Sequence, residues 1–440
     1  MLEATVNAFK IHDLRRKILF TLAMLMIYRV LAHIPVPGAD LVALRNLFQQ
    51  QDVGQILGVL NIFSGGTLQN FSVATMGVYP YITASIIMQL LVGIVPRLTE
   101  LSKEGEQGRN KINQYQQWLA VPLAALQGFG QCVLLRSTGV LPSFDLFNPQ
   151  YTIYSLSVLI SLVAGTMILL WIGELITENG IGNGISIIIF GGIVSRMPTL
   201  IGELAFSQGG TGDVNVLGLL LFAVIGLATV VGIVLIQEGQ RRIPVHYSKN
   251  VFRGNRMMRQ SGSSFIPLRV NSAGMIPLIF AVSIMIFPGT IASFLTAASV
   301  DWVRNLANAM IGFFSPTTLQ YQIMYFVLVV AFTYFYTMVV FGQQNIAENL
   351  QKQGGSIPGI RPGQRTAKYL SDVLNRITFL GAIFLGLVAV MPYIAQLITG
   401  VQIQGLTSTA LLIVVGVAID TMKQLEAQLL MRRYEGFINR

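Results

Sequence analysis

Ten runs of apolar residues, each close to the length a helix needs to cross a bilayer, dominate this 440-residue chain. They cover roughly residues 18–36, 74–95, 118–135, 153–176, 185–206, 216–236, 274–297, 321–341, 377–398 and 406–422. A hydrocarbon core about 30 Å thick takes about 20 apolar residues in helical form. With 53% hydrophobic and only 11% charged residues, a soluble fold would lack the polar surface needed to cover so many apolar side chains. The chain reads as an all-α membrane protein of ten spans.

The basic residues orient it. An even number of spans puts both termini on one side, and 24 of the 29 Lys and Arg residues then face that side: four before the first run, four from Arg97 to Lys111, seven from Arg241 to Arg269, five from Lys352 to Arg376, and four from Lys423 onward. Lys and Arg are enriched in cytoplasmic loops, so that side is the cytoplasm. Arg29, Arg45, Arg136, Arg196 and Arg304 fall in or beside spans or in the external connections. The first run follows Arg15, Arg16 and Lys17, is long, and lacks a good small-residue cleavage site, so it reads as retained rather than as a removable signal. Ala4 to Leu14 has the pattern of an amphipathic helix on the cytoplasmic surface.

Orientation accounts for most of the net charge of +10, yet two basic loops exceed what orientation requires. Residues 237–270 and 342–376 are each over thirty residues long and rich in Gly, Pro, Gln and Arg. The first contains two β-like segments, Arg242 to Tyr247 and Phe265 to Val270, suited to a hairpin projecting from the membrane. Long basic protrusions suit docking to an acidic surface such as a phosphate backbone. Another segment fits no span: Leu57 to Phe71 (LGVLNIFSGGTLQNF) is apolar, broken at Ser64, Gly65 and Gly66, and too short to cross. Non-helical backbone at membrane depth needs protein or a water-filled cavity to satisfy it. The segment is therefore either a re-entrant piece inside a cavity or a loop on the external surface.

No chemistry of catalysis is legible. The lone Cys132 permits neither an internal disulfide nor a metal cluster, and His12, His33 and His246 are scattered over three segments. NGIGNG at 179–184 lacks the Lys-Ser/Thr of a phosphate loop and reads as a tight turn, and neither G-x-S-x-G nor H-E-x-x-H occurs. No catalytic residue, cofactor or metal is expected. Glu174 and Asp420 lie near cytoplasmic span ends and Arg29 nearer an outer end, whereas an ion-coupled carrier needs such groups or a broken helix at the midplane. A secondary transporter with inverted repeats is the alternative to a channel, and an insertase without a continuous pore is a third class. The amides Gln89, Gln127 and Asn271 within the apolar runs read as interhelical hydrogen-bonding groups.

Four stretches together carry a family likeness: NIFSGG at 61–66, IGNGIS at 181–186, QRRIP at 240–244 followed by Tyr247, and PGIRPG at 358–363. The agreement extends through Gly77 to Leu91, the EGEQGRNKINQY loop ending at Tyr115, Asn271 to Phe280 and Thr366 to Thr378, so it spans essentially the whole chain. In these stretches the chain resembles the bacterial SecY family of protein-translocation channels.

The resemblance implies ten transmembrane helices in two pseudo-symmetric halves, residues 1–200 and 201–440, around a central pore and hinged after the fifth span. It implies a re-entrant plug at 60–72, including Asn61, Ile62, Phe63, Ser64, Gly65 and Gly66. The constriction would be Val78, Ile82, Ile185, Ile189, Ile279 and Ile413, with Val78 departing from the commonest all-isoleucine ring. Gln89, Gln127 and Asn271 would line a lateral gate between the second and third spans and the seventh and eighth. Arg361 matches an important loop arginine, and Arg241 and Arg242 match the basic tip of the preceding loop, which continues through Lys249, Arg253 and Arg256. The middle of that loop, 248–263, departs from the family pattern.

The implied function is passive, gated passage of unfolded secretory polypeptides, with lateral release of membrane segments into lipid. Since no nucleotide-binding motif is present, energy must come from outside, from the SecA ATPase or the translating ribosome, whose RNA the basic loops would contact. SecE and SecG are the implied membrane subunits, signal sequences and nascent polypeptides the cargo, and the bacterial plasma membrane the location, with both termini cytoplasmic.

Overall fold

The computed structural model describes residues 11–49, 61, 64–145, 148–206, 216–253, 256–274, 276–295, 301–316, 318–344, 346–399 and 408–438. The N-terminal helices are α1 (His12–Leu31), α2 (Leu41–Gln49), α3 (Tyr79–Ile94), α4 (Pro96–Lys103), α5 (Glu106–Ser137), α6 (Thr152–Asn179) and α7 (Gly184–Phe206). After α8 (Val216–Glu238) come the strands β1 (Gln240–Arg253) and β2 (Arg256–Arg269). The remainder comprises α9 (Ile276–Leu295), α10 (Asp301–Phe313), α11 (Leu319–Gln344), α12 (Ile346–Lys352), the short β3 (Gly355–Ser356), α13 (Gln364–Thr399) and α14 (Ser408–Ile438).

A helix lies on each of the ten apolar runs, with different ends. Helix α1 stops at Leu31, short of the expected 36, because Pro35 and Pro37 cannot continue it. Helices α5 and α13 begin twelve or more residues before their apolar runs, and α14 continues past its own, since charged turns extend a helix without being apolar. Among the described residues, five helices are long and apolar enough to cross a membrane: α5, α6, α8, α11 and α13. A sixth crossing is formed if α3 and α4 count as one; they are bent by 104°. Pro96 forces that bend. It holds Val95 in the extended region (φ −92°, ψ 113°), then starts α4 from the first helical position, where a missing N–H costs nothing.

One large apolar cluster joins most of these helices, with Tyr28, Leu169, Ile193, Ile233, Val329 and Leu385 among its buried members. The N-terminal helices α1–α7 meet the C-terminal ones along two seams: α7 packs on α14, while α9 packs on both α3 and α5. At one end of the molecule, β1 and β2 pair antiparallel from Gln240↔Arg269 to Arg253↔Arg256. The hairpin expected from the sequence is thus present, and its strands are more than twice as long as the alternating segments. Strand β3 adds to the edge of β1 through His246↔Ser356 and Tyr247↔Gly355, so the two basic loops form a single three-stranded unit. Ile243, Val245, Leu268, Leu350, Ile357 and Leu370 are buried beneath it.

Candidate pore, plug and docking unit

The six residues expected at the constriction come from four helices. Val78 caps the start of α3 and Ile82 lies one turn further on; Ile185 and Ile189 are one turn apart on α7; Ile279 is on α9 and Ile413 on α14. All six belong to the large apolar cluster, five of them buried and Ile185 partly buried against it. None of the six side chains donates or accepts a hydrogen bond, so a narrow passage walled by them holds water poorly and resists ions.

The broken segment packs directly beside this cluster. Ile62 and Phe63 lie outside the described residues, but Asn61, Ser64, Thr67, Leu68, Phe71 and Ser72 are buried. The described part of the segment is thus enclosed by protein. Gly65 and Gly66 turn the chain in left-handed conformations, φ +71° and +84°, which favour glycine.

The turn sits in a socket that the sequence did not reveal. From α1, the buried Tyr28 hydroxyl donates to the Ser64 carbonyl at 3.2 Å and the Arg29 guanidinium to the Gly65 carbonyl at 3.4 Å. From α7, Gly192 lies so close that a Cβ there would stand 2.5 Å from the Gly65 Cα, while a Cβ on Gly66 would stand 2.7 Å from Cδ of Arg196. Gly192 is one turn from Ile189, which ties the seat of the turn to the apolar cluster. Beyond the turn, Ser72 pairs with Pro35, and backbone bonds of 2.9 Å from Val36 to Phe71 and from Val73 to Ile34 fix the exit.

The three span amides are not joined to one another by their donated bonds. Gln89 donates to the Ser85 hydroxyl within α3 at 3.3 Å, and Gln116 of α5 reaches the same hydroxyl at 3.1 Å. Gln127 of α5 donates to Thr83 of α3 at 3.2 Å. Asn271 instead donates to Gly274 in its own turn before α9, at 3.1 Å. Each of Gln89, Gln127 and Asn271 keeps a buried side-chain oxygen with no partner, so the polar material along this seam is only half satisfied. A contact across the seam comes from residues not singled out beforehand: the Tyr79 hydroxyl, at the start of α3, faces Ser283 of α9. Ser283 in turn donates to the Ile279 carbonyl at 2.8 Å.

The residues expected to dock a partner occupy the three-stranded unit, with one correction. Arg241 and Arg242 lie near the base of the hairpin, opposite Leu268 and Pro267, and not at its tip. They are exposed, and the Arg242 guanidinium stands 4.9 Å above the Phe265 ring, a cation–π contact across the strands. The tip belongs to Arg253 and Arg256, which pair there, with Lys249 and Arg259 a few positions back. Arg361 is exposed in the turn between β3 and α13; its carbonyl accepts from Thr366 at 3.0 Å while Ile357 and Ile360 anchor the turn in the core of the unit. At the base of the unit, Glu238 and Lys423 pair at 2.7 Å and so link α8 to α14. Among the described residues no group of three His, Cys, Asp or Glu side chains is placed to hold a metal ion.

A family model described as SecY matches residues 72–422. The protein translocase subunit SecY of Halalkalibacterium halodurans is 43% identical to this chain, the alignment covering all of both chains. Two solved structures share the fold. One, on the plug domain of the SecY protein stabilising the closed state of the translocation channel and maintaining a membrane seal, has a TM-score of 0.63 at 17% identity, over 94% of this chain and 92% of that one. The other, Sec61 in the canine ribosome–channel complex from the endoplasmic reticulum, has a TM-score of 0.59 at 16% identity, over 94% and 92%.

Proposed function

The chain belongs to the SecY family, and on that premise we propose that it is the channel-forming subunit of a protein translocase, passing unfolded polypeptides across a membrane and releasing apolar segments sideways into lipid. In this reading the ten helices on the apolar runs all span the bacterial plasma membrane, as two halves hinged after α7, with both termini and the β1–β2–β3 unit in the cytoplasm. Val78, Ile82, Ile185, Ile189, Ile279 and Ile413 form the gasket, and the segment around Gly65 and Gly66 plugs it from the far side. The observation that carries the proposal is the convergence of six aliphatic residues from four helices on one buried cluster, with a glycine turn seated one helical turn away.

Opening toward lipid would part α9 and α11 from α3 and α5. That seam carries few and imperfect polar bonds, and such bonds average about 0.6 kcal/mol in membranes, so an arriving signal helix exchanges them at little net cost. The three-stranded unit is the docking platform for SecA or the ribosome, with Arg253 and Arg256 placed at its tip to meet acidic surface or RNA and Arg361 beside the strand edge. SecE and SecG complete the membrane complex. The competing carrier mechanism needs an ionisable group at the constriction, and the six residues proposed there carry none. The deciding experiment is reconstitution of the chain with SecE, SecG and SecA. A secretory precursor should become protease-protected on adding ATP; uptake of a small solute coupled to an ion, without protected precursor, would favour the carrier instead.

A further inference from the structure

Helix α10 has three distinct faces. Its buried Ala307 turns toward the protein, where the helix packs on α9. At 3.6 residues per turn, Asp301, Arg304, Asn305 and Asn308 fall together on a second, polar face, on which Arg304 pairs with Asp301 at 2.6 Å. The third face is apolar and uncovered: Trp302, Leu306 and Phe313 are aligned along it with 70%, 51% and 42% of their surface exposed. The end of this face is joined to the core, because Phe313 packs edge-on against Phe314 at 5.2 Å and Phe314 packs against the large apolar cluster.

The position of α10 says what covers the stripe. It connects α9 and α11 at the ends opposite the hairpin, since α9 leaves the hairpin directly after β2. Both neighbours expose apolar rows of their own, Ile291 and Leu295 on α9 and Leu319, Ile323 and Val327 on α11. Thirteen residues make a helix about 20 Å long, too short to cross. A short helix with one charged face and a Trp-bearing apolar face matches the membrane–water interface, where tryptophan concentrates.

We propose that α10 lies in the membrane interface on the side opposite the docking unit, with Trp302, Leu306 and Phe313 among lipid headgroups and upper acyl chains, and that it tethers the far end of the gate helix α9 to that leaflet. The proposal rests on reading α9 and α11 as membrane spans, and the test separates the two. Full-length single-tryptophan forms keeping only Trp302 or only Trp171, the latter exposed on the span α6, are placed in nanodiscs of phosphatidylcholine brominated at shallow or deep chain positions. Trp302 should be quenched most by shallow bromines and Trp171 by deeper ones. If Trp171 is quenched and Trp302 is not, α10 is not in lipid and the inference is overturned. If neither is quenched, the membrane reading itself fails.

A second measurement does not depend on removing tryptophans. In a Cys132→Ser background, Asn308→Cys should react with a membrane-impermeant maleimide several-fold faster than Leu306→Cys. Equal rates would place both faces in water and overturn the inference. Protection of Leu306→Cys without lipid quenching of Trp302 would mean that a protein covers the stripe, and would overturn it equally.

Discussion

Replacing Gly192 with alanine should unseat the turn at Gly65 and make the idle channel leak. The added Cβ would stand 2.5 Å from the Gly65 Cα and 2.9 Å from the Tyr28 hydroxyl, against a comfortable carbon–carbon separation of about 3.5 Å or more. The closer neighbour is backbone, so no rotamer change relieves it; the turn must retreat by about 1 Å. Overpacking of this kind costs about 1–3 kcal/mol. The cost falls only on the seated state, so the ratio of seated to unseated channels should drop between about fivefold and roughly 150-fold.

Tyr28→Phe is the calibrating variant. The Ser64 carbonyl that loses the tyrosine still accepts from the Thr67 hydroxyl at 2.9 Å, so the loss is the net worth of one hydrogen bond, about 1 kcal/mol, or about a fivefold shift. The double variant should shift less than the two singles together, because removing the hydroxyl also removes one of the two contacts that alanine strains. The assays are resting ion conductance in planar bilayers and transport of a precursor with a weakened signal, at equal channel abundance. If Gly192→Ala stays as tight and as selective as the parent, the Gly65–Gly192 contact does not restrain the channel and the reasoning fails.

Three further outcomes follow from the same geometry. Arg361→Glu should cripple SecA-driven transport while leaving the thermal transition almost unchanged, because the side chain is exposed; normal ATP-dependent transport by this variant would remove the residue from the docking site. Changing Ile82, Ile189 and Ile279 together to Ser should hydrate the apolar cluster and raise resting conductance, and unchanged conductance would show that they wall no passage. Tyr79→Phe removes the hydroxyl that faces Ser283 across the α3–α9 seam and should let weak-signal precursors through more readily; equal rejection by variant and parent would make that contact incidental to gating.

How much of this was legible in the sequence depends on whether burial leaves a pattern. The ten apolar runs announced helices because lipid demands uninterrupted apolar length, yet the same uniformity hides which side faces inward. Ile189, buried in the cluster, and Ile160, 58% exposed on α6, sit in equally apolar sequence, and only family likeness singled out the first. The hairpin was read where one face is buried, with Ile243 and Val245 alternating against Leu268. It was missed from 248 to 263, where the register continues from Ser248↔Ser261 to the tip through residues with no apolar alternation to betray it. A backbone ladder needs no side-chain period, so Arg241 and Arg242, which the structure sets at the base, were expected at the tip.

Contacts made through the absence of a side chain are the least legible of all. Gly65 and Gly192 are 127 positions apart, and each is one of 43 glycines. The requirement that both be glycine arises only once α7 lies against the turn, where either Cβ would strike the opposing backbone. Tyr28 gave a weak signal, a phenol inside an apolar run beside Arg29, because a buried hydroxyl there needs an acceptor and the nearest helix carbonyls are already bonded. A polar tip in an otherwise apolar span therefore points to irregular backbone packed against it. The acceptor that Tyr28 found, the Ser64 carbonyl, belongs to the one stretch of the described chain where a glycine pair breaks an apolar segment too short to cross.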